Sequence, residues 1–191
     1  MSDRLTLLHE LGAGGQGAVH AARLGERLVA VKRLRAGASA EGLHDEARVA
    51  LHIVHPNVVR TLEVLERDGE LLLVMEYVPG LPLAELAEAA SRTGELAPVA
   101  VAAGIIAQAL DGLAAAHSAV DEAGVGLDVV HRDLSPDNLM VDGAGQVRVL
   151  DFGIARARGR RQPTTEAGTV KGKLGYLAPE QLYGDATARS D

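Results

Sequence analysis

The stretch VVHRDLSPDNLM, residues 129–140, places charged and amide side chains between two apolar runs. Asp133 and Asn138 stand five residues apart in a segment that contains a proline, so both side chains can face one cleft from a loop. A carboxylate beside a hydroxyl can accept its proton, and an amide oxygen beside a second carboxylate can bind a hard divalent cation. The stretch therefore indicates a site that combines proton transfer with metal binding.

The second carboxylate that such a site needs comes after a short apolar run further along the chain. Asp151 stands in LDFG, residues 150–153, thirteen residues beyond Asn138. Between them lie NLMV and QVRVL, two runs with strand character, joined at Asp142-Gly143. Because Asp-Gly is a common turn signal, we expect a hairpin that returns Asp151 to the neighbourhood of Asn138.

The composition of the chain excludes several classes of protein. At 191 residues it fits one domain with a substantial core, and 47% of the residues are apolar although only 2% are aromatic. The net charge of −7 argues against nucleic acid or anionic lipid as a partner. The absence of cysteine excludes a disulfide framework and Cys-ligated zinc.

No part of the sequence predicts a secretory signal or a membrane span. The most apolar segment, residues 96–120, is interrupted by Gln108, Asp111 and His117. Its unbroken apolar part is shorter than the roughly 20 residues of a transmembrane helix. We therefore expect a buried helix in this segment and a cytoplasmic protein.

A glycine-rich stretch near the N terminus, GAGGQGAV at 12–19, is a candidate phosphate site. Its glycines let backbone N–H groups approach phosphate oxygens without an intervening Cβ. A Rossmann-type site needs a helix directly after the glycines, and a β-like run follows here instead. With 22 glycines in the chain, this stretch alone does not decide the matter.

Lys32, the last residue of VAVK, ends a run with strand character. If its side chain points under the glycine-rich turn, it can neutralise phosphates, and it then needs a carboxylate to hold it. Glu46, on a helix expected over 40–54, is the candidate. On the residues alone, a solvated charge at a strand end is the usual explanation of Lys32, and an exposed helix charge explains Glu46 equally well.

The order of these segments predicts two unequal lobes. The first is a mainly antiparallel sheet with one helix, and its last hairpin turns at Asp68-Gly69. A linker over 76–81, marked by prolines and a glycine, leads to a helical lobe over 82–119. Residues 154–191 are rich in Gly, Arg and Thr and are expected to form loops with little helix.

Taken together, the motifs resemble the signature series of protein kinases. In chain order they are GAGGQGAV, VAVK, a helical Glu46, HRDLSPDN, DFG and APE at 178–180. The resemblance runs from about residue 5 to the last residue and is to the bacterial Ser/Thr type. The stretch ALHIVHPNVVR, with His55 nine residues after Glu46, favours Glu46 over Glu41 as the partner of Lys32.

The resemblance implies an α+β bilobal fold, with an N-lobe over 5–78 and an incomplete helical C-lobe over 79–191. It implies ATP and Mg²⁺, with Asp133 as the catalytic base, Lys32 on the phosphates, Glu46 orienting Lys32, and Asn138 and Asp151 on the metal. The remaining expected nucleotide contacts are Leu11, Gly12, Ala13, Gly14, Gly15, Gln16, Gly17, Val19, Ala30, Met75, Glu76, Val78 and Met140.

Regulation and partners also enter through the resemblance. Arg132, beside the catalytic Asp133, is typical of kinases that are switched on when an activation-loop phosphate pairs with that arginine. Thr164, Thr165 and Thr169 are the candidate phosphosites, and Thr169 is favoured. The expected partner is a protein substrate, and dimerisation with autophosphorylation in trans is compatible with this class.

Three positions depart from the family pattern. Ser135 stands where most Ser/Thr kinases carry a lysine that contacts the transferred phosphate, a contact worth on the order of 1.5–3 kcal/mol. The alternative is that Ser135 supports the turn through its hydroxyl. Gln16 replaces a frequent aromatic residue, and Lys173 replaces a common threonine, which obscures Ser/Thr specificity.

The end of the chain is the largest departure. Asp191 matches the first residue of the family's central C-lobe helix, so we expect a fragment of a kinase in which apolar faces of the 98–118 helix meet water.

Two alternatives stay open. The first is a nucleotide-binding but non-catalytic module, and the second is a small-molecule phosphotransferase, against which the DFG-to-APE segment argues.

Overall fold

A computed structural model of the protein describes residues 5–14, 17–34, 47–67, 69–152 and 174–191. The first lobe is a five-stranded antiparallel sheet with strand order β1-β2-β3-β5-β4. Its strands are β1 (Leu5–Gly14), β2 (Gly17–Leu24), β3 (Arg27–Leu34), β4 (Thr61–Arg67) and β5 (Glu70–Glu76). This architecture confirms the expected α+β class with an antiparallel N-lobe.

The two faces of this sheet carry separate apolar clusters, because side chains alternate along a strand. On β3, Val29 and Val31 pack into one cluster, while Ala30 packs against the other. β5 is buried on both faces from Leu71 to Met75, which explains its unbroken apolar sequence. Lys32 therefore lies on the same face of the sheet as Ala30. That face is turned towards the cleft between the lobes, which is described below.

The second lobe combines two helices with a three-stranded sheet of order β6-β7-β8. The helices are α1 (Leu83–Thr93) and α2 (Val99–His117), and they lie within the expected helical range. The strands are β6 (Gly80–Pro82), β7 (Leu139–Asp142) and β8 (Val147–Val149). Short 3₁₀ turns occupy Ala50–His52, Pro136–Asn138, Leu174–Tyr176, Pro179–Tyr183 and Ala188–Ser190.

Strand β6 was not expected from the sequence, which indicated only a linker. Gly80 pairs with Asp142 and Pro82 with Met140, so the linker joins the smaller sheet as its edge strand. A Cβ at position 80 would collide with the backbone of Val141, and the glycine therefore permits this close pairing. A strand of three residues is too short to show an alternating pattern, which is why sequence reasoning missed it.

The hairpin between β7 and β8 forms as expected, but its turn is placed differently. Asp142 belongs to β7, and the positive φ of 78° falls at Gly145 rather than at Gly143. The Asp142 carboxylate accepts the N–H groups of Ala144 and Gln146, at 2.9 and 3.0 Å, so it closes a longer loop from within.

Helix α2 is only partly buried, which corrects the expectation of a buried helix. Its buried residues, Ala109, Gly112, Leu113 and Ala116, all lie in the C-terminal half. The large apolar side chains that are exposed are Val99, Val101, Ile106 and Leu110, and Val99 is 85% exposed. The prediction that an apolar face of this helix meets water is thus confirmed. By length and composition alone α2 could cross a membrane, a test that core helices of globular proteins also pass.

Residues 53–59, which precede β4, attach the first lobe to the second. The Asn57 carbonyl accepts the N–H of Val149 at 2.8 Å, and the Asn57 amide donates to the Val147 carbonyl at 2.8 Å. The same amide donates to Gln108 Oε1 on α2 at 3.1 Å. Gln108, which interrupts the apolar segment in the sequence, is thus a link between the lobes.

Two glycines on α2 provide a matched test of this attachment. A Cβ at Gly112 would lie 2.5 Å from the Asn57 carbonyl oxygen, whereas a Cβ at Gly104 would meet nothing within 4 Å. We expect Gly112→Ala to lower the free energy of unfolding by about 1–3 kcal/mol through overpacking. Gly104→Ala should raise it by about 0.5–1 kcal/mol through helix propensity. Urea denaturation checks both, and equal effects of the two substitutions would contradict the close approach.

The β7–β8 hairpin makes a pH-dependent contribution to stability. The hydrogen bond from the Arg148 side chain, followed by that from the Gln146 N–H, holds the pKa of Asp142 below its ordinary value. Because the pKa of Asp142 is lower in the folded than in the unfolded chain, the ionised carboxylate stabilises the fold. This contribution is fully present at pH values above the unfolded pKa of about 3.9, and it is lost as the pH falls through the lower pKa of the folded state. Asp142→Asn should therefore lower the urea midpoint more at about pH 7 than at about pH 2.

The control for this comparison is Asp185→Asn, which replaces an exposed carboxylate directly after the turn at Gly184. A loss for Asp142→Asn that is the same at both pH values would show that the carboxylate charge is not the cause.

Candidate active site

Lys32 and Asp151, from different lobes, meet in the cleft. Lys32 Nζ lies 2.9 Å from Asp151 Oδ2, and the lysine side chain is only 3% exposed. A buried ammonium is tolerated when a carboxylate accompanies it, so this contact ties β3 to the residues that follow β8. The structure thus brings together two of the residues that the sequence singled out.

The position of Asp151 depends on its neighbour Leu150. The Leu150 N–H donates to the Asn138 carbonyl at 2.9 Å, and the Leu150 carbonyl accepts from His131 Nε2 at 2.7 Å. Asp151 itself has a φ of 50°, in the left-handed region that few non-glycine residues adopt. The loop that contains Asp133 therefore holds Leu150 on both sides and places Asp151 beside it.

Asp133 and Asn138 are joined within the same loop. Asn138 Nδ2 donates to the Asp133 carbonyl at 2.6 Å and approaches Asp133 Oδ2 at 3.3 Å. Because the amide nitrogen faces Asp133, the amide oxygen Oδ1 points elsewhere and keeps its capacity to accept or to bind a cation. The 3₁₀ turn Pro136–Asn138 positions this side chain.

His131 is a site residue to which sequence reasoning assigned no role. It is 1% exposed, and its ring packs edge-on against Phe152 at a centroid distance of 5.1 Å. Nε2 donates to the Leu150 carbonyl, and Nδ1 accepts the Asp133 N–H at 3.3 Å. Through these two bonds the imidazole ring orients the backbone of Asp133 relative to the strand end that carries Asp151.

Asp191 holds the same loop from the opposite end of the described chain. Its carboxylate, which is 0% exposed, accepts the N–H groups of His131 at 2.6 Å and Arg132 at 2.7 Å. It also accepts from His117 Nε2 on α2 at 2.8 Å. Asp191 lies 60 residues after His131, so no local pattern in the sequence reveals this contact.

Arg132, the expected regulatory residue, has an unusual backbone that these contacts hold. Its φ is 68°, and its carbonyl accepts from Gln181 Nε2 at 2.8 Å while its N–H donates to Asp191. Gln181 in turn accepts the N–H of Ala178 at 2.9 Å. The side chain of Gln181 therefore connects the APE segment at 178–180 to the candidate catalytic loop.

Glu180, the last residue of APE, also has a partner within the described chain. The Ser190 hydroxyl donates to Glu180 Oε1, and this bond is the main reason that the pKa of Glu180 lies below its ordinary value. The 3₁₀ turns Pro179–Tyr183 and Ala188–Ser190 are thus joined side by side.

Ser135 is buried, with only 4% exposed, at the start of the turn Pro136–Asn138. Its side chain makes no capping hydrogen bond to that turn. The hydroxyl therefore does not cap this turn, and the wider alternative that it supports the turn stays a prediction.

The expected base-binding residues of the first lobe share one face of its sheet. Val19 pairs with Lys32, and Ala30 pairs with Met75, which is 6% exposed and packs with Ala30 and Val78. Met140 lies on β7 in the smaller sheet, and its contact with a base stays a prediction.

The glycine-rich hairpin is open towards the outside. β1 and β2 remain paired up to Gly14 and Gly17, and Leu11 and Ala13 are exposed. A Cβ at Gly12 would meet nothing within 4 Å, so packing within the described protein does not require this glycine. Room beside the backbone is what an approaching phosphate group would need.

Several expected residues lie outside the described part of the chain. They are Gly15, Gln16, Glu46, Thr164, Thr165, Thr169 and Lys173. The pairing of Lys32 with Glu46, and the choice of phosphosite, stay predictions.

The side chains near Asp151 fit a hard divalent cation bound partly through phosphate. Asp151 supplies a carboxylate and Asn138 an amide oxygen, and Mg²⁺ commonly takes one or two such protein ligands together with phosphate oxygens. Within the described ranges there is no group of three or more His, Cys, Asp or Glu that could form a cage of protein ligands alone.

Comparison with known proteins agrees with this geometry. A two-lobed fold with a lysine–aspartate pair across the cleft and an Asp–Asn loop beside it is typical of nucleotide-dependent phosphotransferases. Residues 5–191 match the family model described as the protein kinase domain. The chain belongs to the protein kinase family.

Several bacterial kinases are similar over 96% or more of this chain. A tyrosine-protein kinase, MasK of Myxococcus xanthus, is 38% identical over 96% of this chain. The probable serine/threonine-protein kinase PknB of Lactococcus lactis is 34% identical, and the serine/threonine-protein kinase PrkC of Bacillus subtilis is 35% identical, each over 100% of this chain. The chain spans 30%, 30% and 29% of the length of these three relatives, respectively.

The role of Asp191 can be measured through stability. Asp191→Ala would leave the buried N–H groups of His131 and Arg132 without their acceptor, and we expect a loss of about 3 kcal/mol in the free energy of unfolding. Urea denaturation followed by circular dichroism measures it. Asp185→Ala, in the same C-terminal segment but exposed, should change the free energy by less than about 0.5 kcal/mol. Equal losses for both variants would rule out the proposed anchor.

Proposed function

We propose that this protein transfers the γ-phosphoryl group of ATP to serine or threonine hydroxyls of protein substrates, in the presence of Mg²⁺. The observation that carries the proposal is the 2.9 Å contact between Lys32 Nζ and Asp151 Oδ2 across the cleft. Leu150, which precedes Asp151, is bonded to both His131 and Asn138, so the cation, the carboxylate and the Asp133 loop occupy one region.

In the reaction the substrate hydroxyl oxygen attacks the γ-phosphorus and the bond to the ADP oxygen breaks. Asp133 orients the hydroxyl and accepts its proton, while Lys32 offsets the charge of the non-transferred phosphates. Asn138 and Asp151 would hold Mg²⁺, which supplies charge neutralisation at the phosphates when bound. Most of the expected rate enhancement therefore comes from positioning and charge, for which a rigid loop is suited.

The acceptor hydroxyl is proposed to be that of serine or threonine. Two of the relatives described above carry the name serine/threonine-protein kinase and one carries the name tyrosine-protein kinase. The HRDLSPDN loop departs from the tyrosine-kinase loop, which supports the Ser/Thr assignment. Phosphoamino-acid analysis of a labelled substrate distinguishes phosphoserine and phosphothreonine from phosphotyrosine.

The setting of this activity is also part of the proposal. We place the protein in the cytoplasm and its action in signalling, with protein substrates and autophosphorylation in trans as the expected events. The acidic composition supports a protein rather than a nucleic acid as partner.

One observation favours a second candidate, a nucleotide-binding module without catalysis. Ser135 is a buried, uncharged residue at the position where most Ser/Thr kinases place a lysine on the transferred phosphate. This candidate predicts ATP binding without phosphate transfer.

Transfer of radiolabel from ATP to a generic protein substrate tests the proposal. Asp133→Asn should lower kcat about 10²- to 10⁴-fold because the proton acceptor is lost, while ATP still binds. Lys32→Met should weaken ATP binding and transfer together. Arg92→Ala, which removes a side chain that is 70% exposed on α1, should transfer at the wild-type rate.

Two outcomes would decide against catalysis. Equal incorporation by the wild type and Asp133→Asn would assign the label to a contaminant. Binding of ATP by the wild type with no transfer to any substrate would support the non-catalytic module instead.

A further inference from the structure

Arg148, on β8, joins the segment between the lobes to the smaller sheet. Its Nη1 donates to Asp142 Oδ2 at 2.8 Å, and its Nε lies 3.8 Å from Glu76 Oε1, an ion-pair distance rather than a hydrogen bond. The arginine side chain is 23% exposed, and the two carboxylate side chains are 15% and 28% exposed. One guanidinium is therefore shared by two acids from different parts of the fold.

The smaller sheet places Arg148 next to an expected base contact. Met140 on β7 is directly opposite Arg148 on β8, and residues opposite each other in an antiparallel pair lie on the same face. Pro82 of β6 is opposite Met140 on its other side. The guanidinium thus extends from the face of the sheet that carries Met140.

Glu76 is the last residue of β5 and precedes the hinge, residues 77–79, which connects β5 to β6. It is fastened to Arg60 twice, because the Glu76 N–H donates to the Arg60 carbonyl at 2.9 Å and Glu76 Oε1 accepts the Arg60 N–H at 3.1 Å. The position of the Glu76 carboxylate is therefore coupled to the position of the backbone at the start of the hinge. Arg148 acts on the same oxygen, Oε1.

We propose that Arg148 is a positioning residue for the nucleotide: by pairing with Glu76 it sets the distance between the hinge and the sheet that carries Met140. These two elements form the edge and the floor of the expected base pocket, so their separation determines how closely a purine is held. The inference rests on the proposed function, since it concerns the ATP site of that reaction.

The arrangement requires the guanidinium and its charge. Asp142 is itself held by the N–H groups of Ala144 and Gln146, so it is a fixed point from which Arg148 is oriented. A planar guanidinium can bond one acid while it faces a second, whereas an ammonium keeps the charge but is a point donor. A neutral side chain would leave Glu76 with its Arg60 contact alone on this side.

The experiment measures ATP binding and kinetics in the full chain. Arg148→Ala should raise the Kd for ATP, by calorimetry with Mg²⁺, and the KM for ATP about three- to fivefold, as expected when a partly exposed ion pair of up to about 1 kcal/mol is lost. The kcat should change by less than about twofold, since the residue does not touch the reacting atoms. Arg148→Lys should recover only part of the affinity, because an ammonium keeps the charge but cannot bond Asp142 while it also faces Glu76.

A double-mutant cycle assigns the effect to the pair. Glu76→Gln should raise the Kd by about the same factor as Arg148→Ala, and the double variant should be no weaker than either single variant. Arg92→Ala is the matched control, because it removes an arginine paired with Glu88 at 3.4 Å on the exposed surface of α1, and its Kd should equal that of the wild type.

Each outcome is decisive for one of the two proposals. A wild type that binds no ATP overturns the proposed function. A wild type that binds ATP, with Arg148→Ala binding equally well, or with additive effects in the cycle, overturns the positioning role. If Arg148→Ala does not fold by circular dichroism, the comparison of Arg148→Lys and Glu76→Gln with the wild type carries the test in the same way.

Discussion

The buried ammonium of Lys32 is the constraint on which the arrangement of the two lobes depends. A cation that is 3% exposed is costly to bury unless an acid accompanies it, and Asp151 from the other lobe is one such acid among the described residues. The contact therefore favours a closed cleft. The same contact requires that a carboxylate after β8 project towards β3. The ion pair with Lys32 therefore offsets the conformational free energy of the left-handed backbone at Asp151.

The loop of Asp133 is rigid because its polar backbone groups are satisfied from outside the loop. Asp191 accepts two of its N–H groups, Gln181 donates to one of its carbonyls, and His131 connects it to Leu150. Together these bonds stabilise the left-handed backbone conformation of Arg132, which is unfavourable for a residue other than glycine. Positioning of this kind is what phosphoryl transfer requires of a protein, since little covalent chemistry falls to the side chains.

Besides the Lys32–Asp151 contact, three links of different character join the lobes within the described residues. The hinge is covalent, the contact of Asn57 with Gln108 and Val149 is a hydrogen-bonded packing contact, and the Arg148–Glu76 pair is electrostatic. The first two hold the lobes together over short, buried distances, whereas the ion pair is partly exposed and longer. A partly exposed pair adjusts more readily than a buried hydrogen bond, which suits a contact beside a pocket that must admit and release a nucleotide.

The sequence by itself determined the family, the lobe order and most strands, because ordered motifs and alternating apolar residues are local signals. It also identified Lys32, Asp133, Asn138 and Asp151 as a set. Contacts that join distant residues were decided only by the tertiary structure: the anchor at Asp191, the link through Gln108, the sharing of Arg148, and the edge strand β6. The exposure of α2 was also decided by the tertiary structure. Its apolar composition predicts a buried helix, yet about half of it is exposed, because the burial of a helix depends on which elements pack against it.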